Sequence, residues 1–348
     1  MKTCAEQLPI EIWISIFQHF EIHDLLYAFN NLNRYFNEIL SSDHLLLHVQ
    51  LEKCEQFYRQ LAFLSPWPSS ILNRIVYLKS STQGHGKYLS QFLYWHGSQL
   101  LRLKSLTIEV NRQELRPNSI EYLSCHPIEY LSIACVPTED LLQAILSSSK
   151  LYKCRLYFWP TNINNLNSTV QILSEIRILF IKLKDGSNHS LTHYLLSNMP
   201  NLKRLEIVAD HVHEYLTKSI SILSKLERLK LTWLRRSMSI DYFDDLLTIL
   251  PNIEYISLGF YYFRLSESFF ENLLDRWWSK FDRIRFVELF IRSNGLGKLI
   301  NSNEHHLFDD YCRKTLTRIN SRNDVYFNIK WIEENPKIHS IIITIKKC

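Results

Sequence analysis

Four stretches of the 348-residue chain carry residue types that could do chemistry. "HHLFDDYC", residues 305–312, sets His305 and Asp309 one helical turn apart, a spacing that could hold a metal ion. The same stretch, with His306, Asp310 and Cys312, reads as an ordinary solvated helix face, and no metal is expected there. Gly84-x-Gly86-Lys87 and Gly295-x-Gly297-Lys298 look faintly like phosphate loops. Both lack the spaced glycines, and the Ser or Thr after lysine, that cradle phosphates and their metal. Seven scattered cysteines, none in a C-x-x-C pair, point to reduced thiols in the cytosol or nucleus, not to a disulfide frame or zinc site. Only Cys125 stands beside a histidine, His126, and Cys154 falls in an apolar strand. No thiol therefore has the base and lowered pKa that nucleophilic catalysis needs. No catalytic residue, metal or cofactor is expected, and the chain is not expected to be an enzyme. Glycine supplies only 7 of 348 residues, against a usual share of about 7%, so there is little material for tight phosphate-binding loops.

Recognition chemistry is better represented, and a repeat positions it. L-x-x-L-x-L, with Ile, Val or Cys sometimes replacing Leu, starts at residues 103, 128, 151, 176, 202, 226, 253 and 284. A looser copy, "LNRIVY", starts at 72. Leucine-rich repeats run about 20–29 residues with this strand signature. Helix-like stretches lie between: "TEDLLQAILSSSK" (138–150), "SLTHYLLSNMP" (190–200), "YLTKSISILSK" (215–225) and "IDYFDDLLTILP" (240–251). Several open on Thr, Ser or Asp, as helix starts should. Strand then helix, repeated, predicts a curved parallel sheet inside and helices outside, each unit burying its apolar positions against its neighbours. The ninth position is Asn111 in the first clear copy but Val136, Trp159, Lys184, Asp210, Leu234, Tyr261 and Arg292 afterwards. The usual asparagine ladder is missing, and the solenoid should be irregular. The last 45 residues leave the pattern; "VYFNIKWI" and "HSIIITIKK" alternate apolar and polar residues and read as strands closing the sheet.

On such a strand the leucines point inward and the third, fifth and seventh positions face the concave side. In the central copies those positions bring together Lys153, Arg155, Tyr157, Phe180, Lys182, Arg204, Arg228 and Lys230, with Glu206 opposing them. Aromatics and arginines facing one groove suit protein recognition. The expected ligand is an acidic or phosphorylated protein segment, its charges paired by Arg155, Arg204 and Arg228 and its apolar side chains stacked on Phe180 and Tyr157.

Charge separates the N-terminal fifty residues from this array. They hold two cations against six acids, a balance of −4, while the remaining 298 residues carry +9. "LPIEIWISIFQHFEIHDLL", residues 8–26, packs seven large apolar residues between Pro9 and Phe20. On a helical wheel they sweep roughly 200°, whereas a helix on a single core needs little more than about 100°. The excess suggests one contact inside the chain and another outside it. Pro9 fits a first helical turn, Asp24 is a natural N-cap for a second helix and Asn33 for a third. "HLLLHVQLEKCEQFYRQLAFL", residues 44–64, reads as helix-rich.

Leu8-Pro9-x-Glu11-Ile12, Ile16-Phe17, Phe20, Asp24-Leu25 and Leu32-Asn33-Arg34-x-Phe36-x-x-Ile39 together resemble an F-box over about forty residues. The third helix departs from the many members that have Cys-Lys-x-Trp there. The resemblance implies a partner, the small Skp-family linker subunit of cullin–RING ubiquitin ligases, contacted by Leu8, Pro9, Ile12, Ile16, Phe17 and Leu25. An F-box followed by leucine-rich repeats resembles the substrate receptors of SCF-type ligases. The expected organisation is α/β: an all-helical F-box at 1–50, a connecting helix or linker at 51–68, and an irregular leucine-rich-repeat-like domain at 69–348 that binds a protein substrate for ubiquitination. The alternative is a leucine-rich interaction scaffold with no ligase role. A sequence pI of 8.7 suits nucleic acid, but no nucleic-acid motif accompanies it and none is expected as a partner. No run approaches 18 apolar residues, and no secretion signal opens the chain, so a cytoplasmic or nuclear protein without a membrane span is expected.

Overall fold

The computed structural model describes residues 7–51, 69–80, 87–159, 174–183, 189–209, 223–233, 252–261, 284–294, 314, 325–335 and 338–347. Outside them lie Gly84, Gly86, Gly295, Gly297, Lys298, the 305–312 stretch, nearly all of the 51–68 connection, the helix expected at 240–251 and all but the last three residues of the one expected at 215–225, which are not helical. The chain is α/β and divides into two compact units, Met1–Tyr157 and Phe158–Cys348.

The first unit opens on three short helices, α1 (Ile10–Phe17), α2 (Ile22–Phe29) and α3 (Arg34–Ser41). Pro9 stands just before α1, and its carbonyl accepts the N–H groups of Ile12 and Trp13. Asn33 caps α3 as expected, its side-chain oxygen accepting the Phe36 N–H at 2.9 Å. Asp24 does not cap α2. The helix begins three residues earlier, after Glu21, because Ile22 is drawn into the core and Asp24 falls in the first turn. There its negative charge suits the N-terminal end of the helix dipole. The rings of Trp13, Phe17, Phe29 and Phe36 hold the bundle together at centroid distances of 4.7 to 6.3 Å.

Within the 44–64 stretch, residues 44–50 are not helical, and only Leu51, the last residue described before 69, is in helix. Residues Leu47–Gln50 form a strand, β1, pairing in parallel with β2 (Ile75–Ser80). His48 also bridges to Glu21, tying the strand to the turn before α2. A short helix α4 (Ser69–Leu72) leads into β2. The register Leu78↔Leu106 moves the first repeat copy from 72 to 75: Ile75 and Leu78 are its buried strand positions, while Leu72 belongs to α4.

The unit then alternates. α5 (Lys87–His96) precedes β3 (Ser105–Glu114), α6 (Pro117–Cys125) precedes β4 (Tyr130–Val136), and α7 (Glu139–Ser147) precedes β5 (Lys153–Phe158). The strands follow chain order, β1 to β5. Thr138 caps α7 by accepting the Leu141 N–H. Gly97, in the turn after α5, allows a close approach: a Cβ there would lie 2.9 Å from the Tyr122 ring.

In the second unit β6 (Ile178–Leu183), β7 (Arg204–Ala209), β8 (Arg228–Trp233), β9 (Tyr255–Tyr261) and β10 (Phe286–Asn294) are parallel and again follow chain order. α8 (His189–Ser197) separates the first two. β11 (Val325–Asn335) and β12 (Ile338–Lys347) form an antiparallel hairpin, and β12 pairs with β10 to close that edge. In both units the first, fourth and sixth positions of each copy are buried, as with Leu202, Leu205 and Ile207 or Leu226, Leu229 and Leu231.

One backbone pattern recurs from copy to copy. The carbonyl of the second position accepts two N–H groups from the next copy: Lys104 from Glu129 and Tyr130, Arg177 from Lys203 and Arg204, Lys203 from Glu227 and Arg228, Glu254 from Arg285 and Phe286. Side chains at the same position add ion pairs, Lys104–Glu129 at 3.1 Å and Lys203–Glu227 at 2.7 Å. Successive copies are therefore locked at their strand starts rather than by an asparagine ladder. Among the described residues no helix is long and apolar enough to cross a membrane.

Candidate functional site

Two surfaces, one in each unit, carry the candidate residues. On α1 the broad apolar arc divides. Trp13 and Phe17 turn inward onto Phe29 and Phe36. Leu8, Ile12, Ile16 and Phe20, four residues apart, stay exposed at 43%, 47%, 36% and 43%. Pro9 and Ile10 beside them are exposed as well. The Tyr35 hydroxyl donates to the Leu8 carbonyl and so ties the start of the stripe to α3. Tyr27 and Leu32, on α2 and the following turn, add further exposed apolar area. Ile12 and Ile16 lie on α1, with Leu8 before the helix and Phe20 after it, so the exposed apolar residues run along the helix and both its ends rather than being scattered singly.

Two of the six expected contact residues are placed elsewhere. Phe17 and Leu25 are 0% and 1% exposed, packed in the chain's own core, where a partner could not reach them. The other four, Leu8, Pro9, Ile12 and Ile16, are exposed, with exposed Ile10 and Phe20 beside them.

The helical bundle is fixed to the first strands by Arg74, a residue with no evident role in the sequence. Its guanidinium is buried, donating from Nη1 to the Leu40 and Ser42 carbonyls at 2.7 and 2.9 Å and from Nε to Ser70 at 2.8 Å. Leu40 and Ser42 sit at the C-terminus of α3, where carbonyls lack helical partners and a cation is favoured by the dipole. Burial lowers the Arg74 pKa and nearby Asp43 raises it.

The second surface lies on the face of unit 2 opposite the buried leucines. Parallel register arranges it in rows across the strands. The row at the strand starts runs Ile178, Arg204, Arg228, Tyr255, Phe286; the next runs Phe180, Glu206, Lys230, Ser257, Glu288. Lys182, Val208, Thr232, Gly259 and Phe290 form the third. The second row is largely self-satisfied. Lys230 pairs with Glu206 at 3.1 Å, and Glu288 accepts hydrogen bonds from Ser257 and Tyr255 at 2.8 and 3.2 Å. Burial first, and then the Glu288 charge, raise the Tyr255 pKa and keep its phenol a donor. Ser257 and Thr232 are buried, so this part of the face is not open. The first row is open: Arg204 and Arg228 are exposed side by side, and the Tyr255 and Phe286 rings stack at 4.8 Å and 9°.

Of the eight residues expected to bind substrate, five share unit 2: Phe180, Lys182, Arg204, Arg228 and Lys230. Lys230 is already neutralised by Glu206. Lys153, Arg155 and Tyr157 lie on β5 at the end of unit 1, where the Lys153 ammonium sits 5.3 Å from the Tyr130 ring centroid. Tyr255 and Phe286 were absent from the expected set. They occupy the same third position as Arg204 and Arg228, a signal that the repeat alignment already contains.

Other chemistry-bearing groups are occupied structurally. Burial pushes the Cys154 thiol far up, and Cys135 is buried beside the same core. His126 stacks on Tyr122 at 3.7 Å and holds its Nδ1 against the Tyr122 carbonyl at 3.0 Å, rather than serving exposed Cys125. Glu21, His23 and Asp24 form the one three-residue cluster of potential metal ligands among the described residues. Its imidazole nitrogens already face the two carboxylates, at 3.3 and 3.0 Å, at the start of α2. No protein-family model matches the chain, and no curated protein matches it.

Proposed function

We propose that the chain is a substrate receptor of an SCF-type ubiquitin ligase, its N-terminal helices docking on a Skp-family linker subunit. The observation that carries this reading is the exposed row of Ile12 and Ile16 on α1, continued by Leu8 and Pro9 before the helix and Phe20 after it, while the helix's other apolar face is already filled. The stripe coincides with the ordered Leu-Pro, Asp-Leu and Arg-x-Phe elements that resemble an F-box. The strands in chain order, each adding one L-x-x-L-x-L copy, are read as an irregular leucine-rich-repeat-like solenoid reaching from residue 69 to the C-terminus. Its polar face takes the protein substrate. No bond is made or broken by this chain. The receptor acts by proximity, raising the effective concentration of a substrate lysine near a ubiquitin-charged enzyme supplied by the complex.

The test is capture of linker subunit and cullin by tagged full-length chain, compared with a Leu8→Ala, Pro9→Ala, Ile12→Ala variant. All three side chains are exposed, so the fold should persist. Buried anchors at interfaces are typically worth about 2 kcal/mol or more each, and the triple variant should lose capture. Absence of both partners from the wild-type eluate would leave a repeat scaffold without a ligase role as the better reading.

A further inference from the structure

Arg204 and Arg228 are direct neighbours in the parallel register, and both are exposed. Like charges placed directly opposite destabilise a sheet, so the pair carries a repulsive cost. Glu206 is committed to Lys230, Glu227 to Lys203, and Glu288 to Ser257 and Tyr255. Among the described residues neither guanidinium meets a carboxylate. Two adjacent forks offer more donors than one carboxylate can accept. A phosphomonoester, with three free oxygens and a charge near −2, satisfies both.

The same row continues into the stacked Tyr255 and Phe286 rings, which present an apolar platform. Neighbouring strands lie about 4.8 Å apart. The centre of the arginine pair is two strands from the centre of the aromatic pair, roughly 9.6 Å away on that spacing. A β-extended peptide cannot match this with side chains on one face, because its residues i and i+3 point to opposite sides. A polyproline-II segment can: it repeats every three residues with a rise of about 3.1 Å each, so i and i+3 share a face about 9.3 Å apart.

We infer that the row Arg204–Arg228–Tyr255–Phe286 binds a phosphorylated polyproline-II segment, with the phosphate on the two arginines and an apolar side chain three residues away on the aromatic pair. The inference rests on the receptor reading only for its biological role; the binding itself belongs to this chain alone.

Fluorescein-labelled peptides on a Gly-Pro background, titrated against the full-length chain, test it. Each carries one phosphoserine and one leucine, placed two, three or four residues apart in either order. The three-residue spacing, in one of the two orders, should bind at least tenfold more tightly than the other spacings and than its unphosphorylated or glutamate-substituted forms. Arg204→Gln and Arg228→Gln should each remove that preference. Thermal melts of both variants should match or exceed wild type, since each removes a like-charge contact. Equal binding of the glutamate peptide, indifference to spacing, or an unchanged preference in folded variants would each overturn the inference. Peptide binding without linker capture would refute the ligase role alone; linker capture without peptide binding would refute this site alone.

Discussion

Replacing Arg74 with methionine, which keeps much of the side-chain volume, removes the two Nη1 hydrogen bonds that join α3 to the first strands and the Nε bond to Ser70. The Leu40 and Ser42 carbonyls lie 34 and 32 residues away along the chain and are reached at 2.7 and 2.9 Å. The part-buried Leu40 carbonyl left without its donor costs about 1–3 kcal/mol, and Ser42, which keeps the Leu45 N–H, loses a hydrogen bond to a charged group worth about 1.5–3 kcal/mol. Part is recovered because a cation no longer has to be desolvated, the effect already visible in the lowered Arg74 pKa. The net expectation is a loss of about 3 kcal/mol, within the range for disrupting a buried hydrogen-bond network. Arg74→Lys should recover less than half, because an ammonium cannot reproduce the planar fork that spans three carbonyls. Hydrogen exchange reads the effect locally. The Leu47 N–H, which donates to the Arg74 carbonyl, and the Leu45 N–H, which donates to Ser42, should each exchange roughly a hundredfold faster in the methionine variant, since about 1.4 kcal/mol is tenfold. A change below fivefold at both amides would refute the assignment of Arg74 as the clamp.

Asn33→Ala should destabilise the first unit by about 1 kcal/mol through loss of the α3 cap, measured by urea unfolding. Gly97→Ala should cost about 1–3 kcal/mol, because the added methyl meets the ring of Tyr122 and either that ring or the turn must shift; an unchanged melting temperature would contradict this. Burial depresses the pKa of both His48 and His96, with His19 lowering and Glu21 raising that of His48. A depressed histidine pKa means that the unfolded chain takes up the proton first, so stability is complete above the unfolded value near 6.5 and falls as pH drops below it. Melts between pH 7.5 and 5.5 should show that decline, and a His48→Gln, His96→Gln variant should flatten it.

Much of the framework was legible because burial has a period. Leu202, Leu205 and Ile207 occupy the inward positions that L-x-x-L-x-L assigns, and copy after copy repeats them. Local chemistry was legible at Asn33, whose cap needs only three residues. What failed depended on distant partners. "LHVQ", residues 47–50, fits both helical and alternating spacing, and pairing with β2 and the bridge to Glu21 decided for a strand. Leu72 and Ile75 are both apolar and three apart, so only the neighbouring strand could fix the register of the first copy. A helical wheel could show that the α1 arc was too wide, but not which half faced Phe36. Phe17 and Leu25 were accordingly assigned outward when they are core. The Arg74 clamp spans more than thirty residues and has no local signature.

The central claim is that the exposed apolar row along α1 and its two ends is a docking surface for a Skp-family linker subunit. Titration of purified linker subunit into purified full-length chain, with hydroxyl-radical footprinting of the two mixed and alone, tests it most directly. The account predicts saturable binding tighter than about 1 μM, equivalent to roughly −8 kcal/mol, with oxidation suppressed at Leu8, Ile12, Ile16 and Phe20 and unchanged at Tyr94 and Trp95, which are exposed on α5. No binding, or binding that leaves the stripe as reactive as in the free chain, would contradict it.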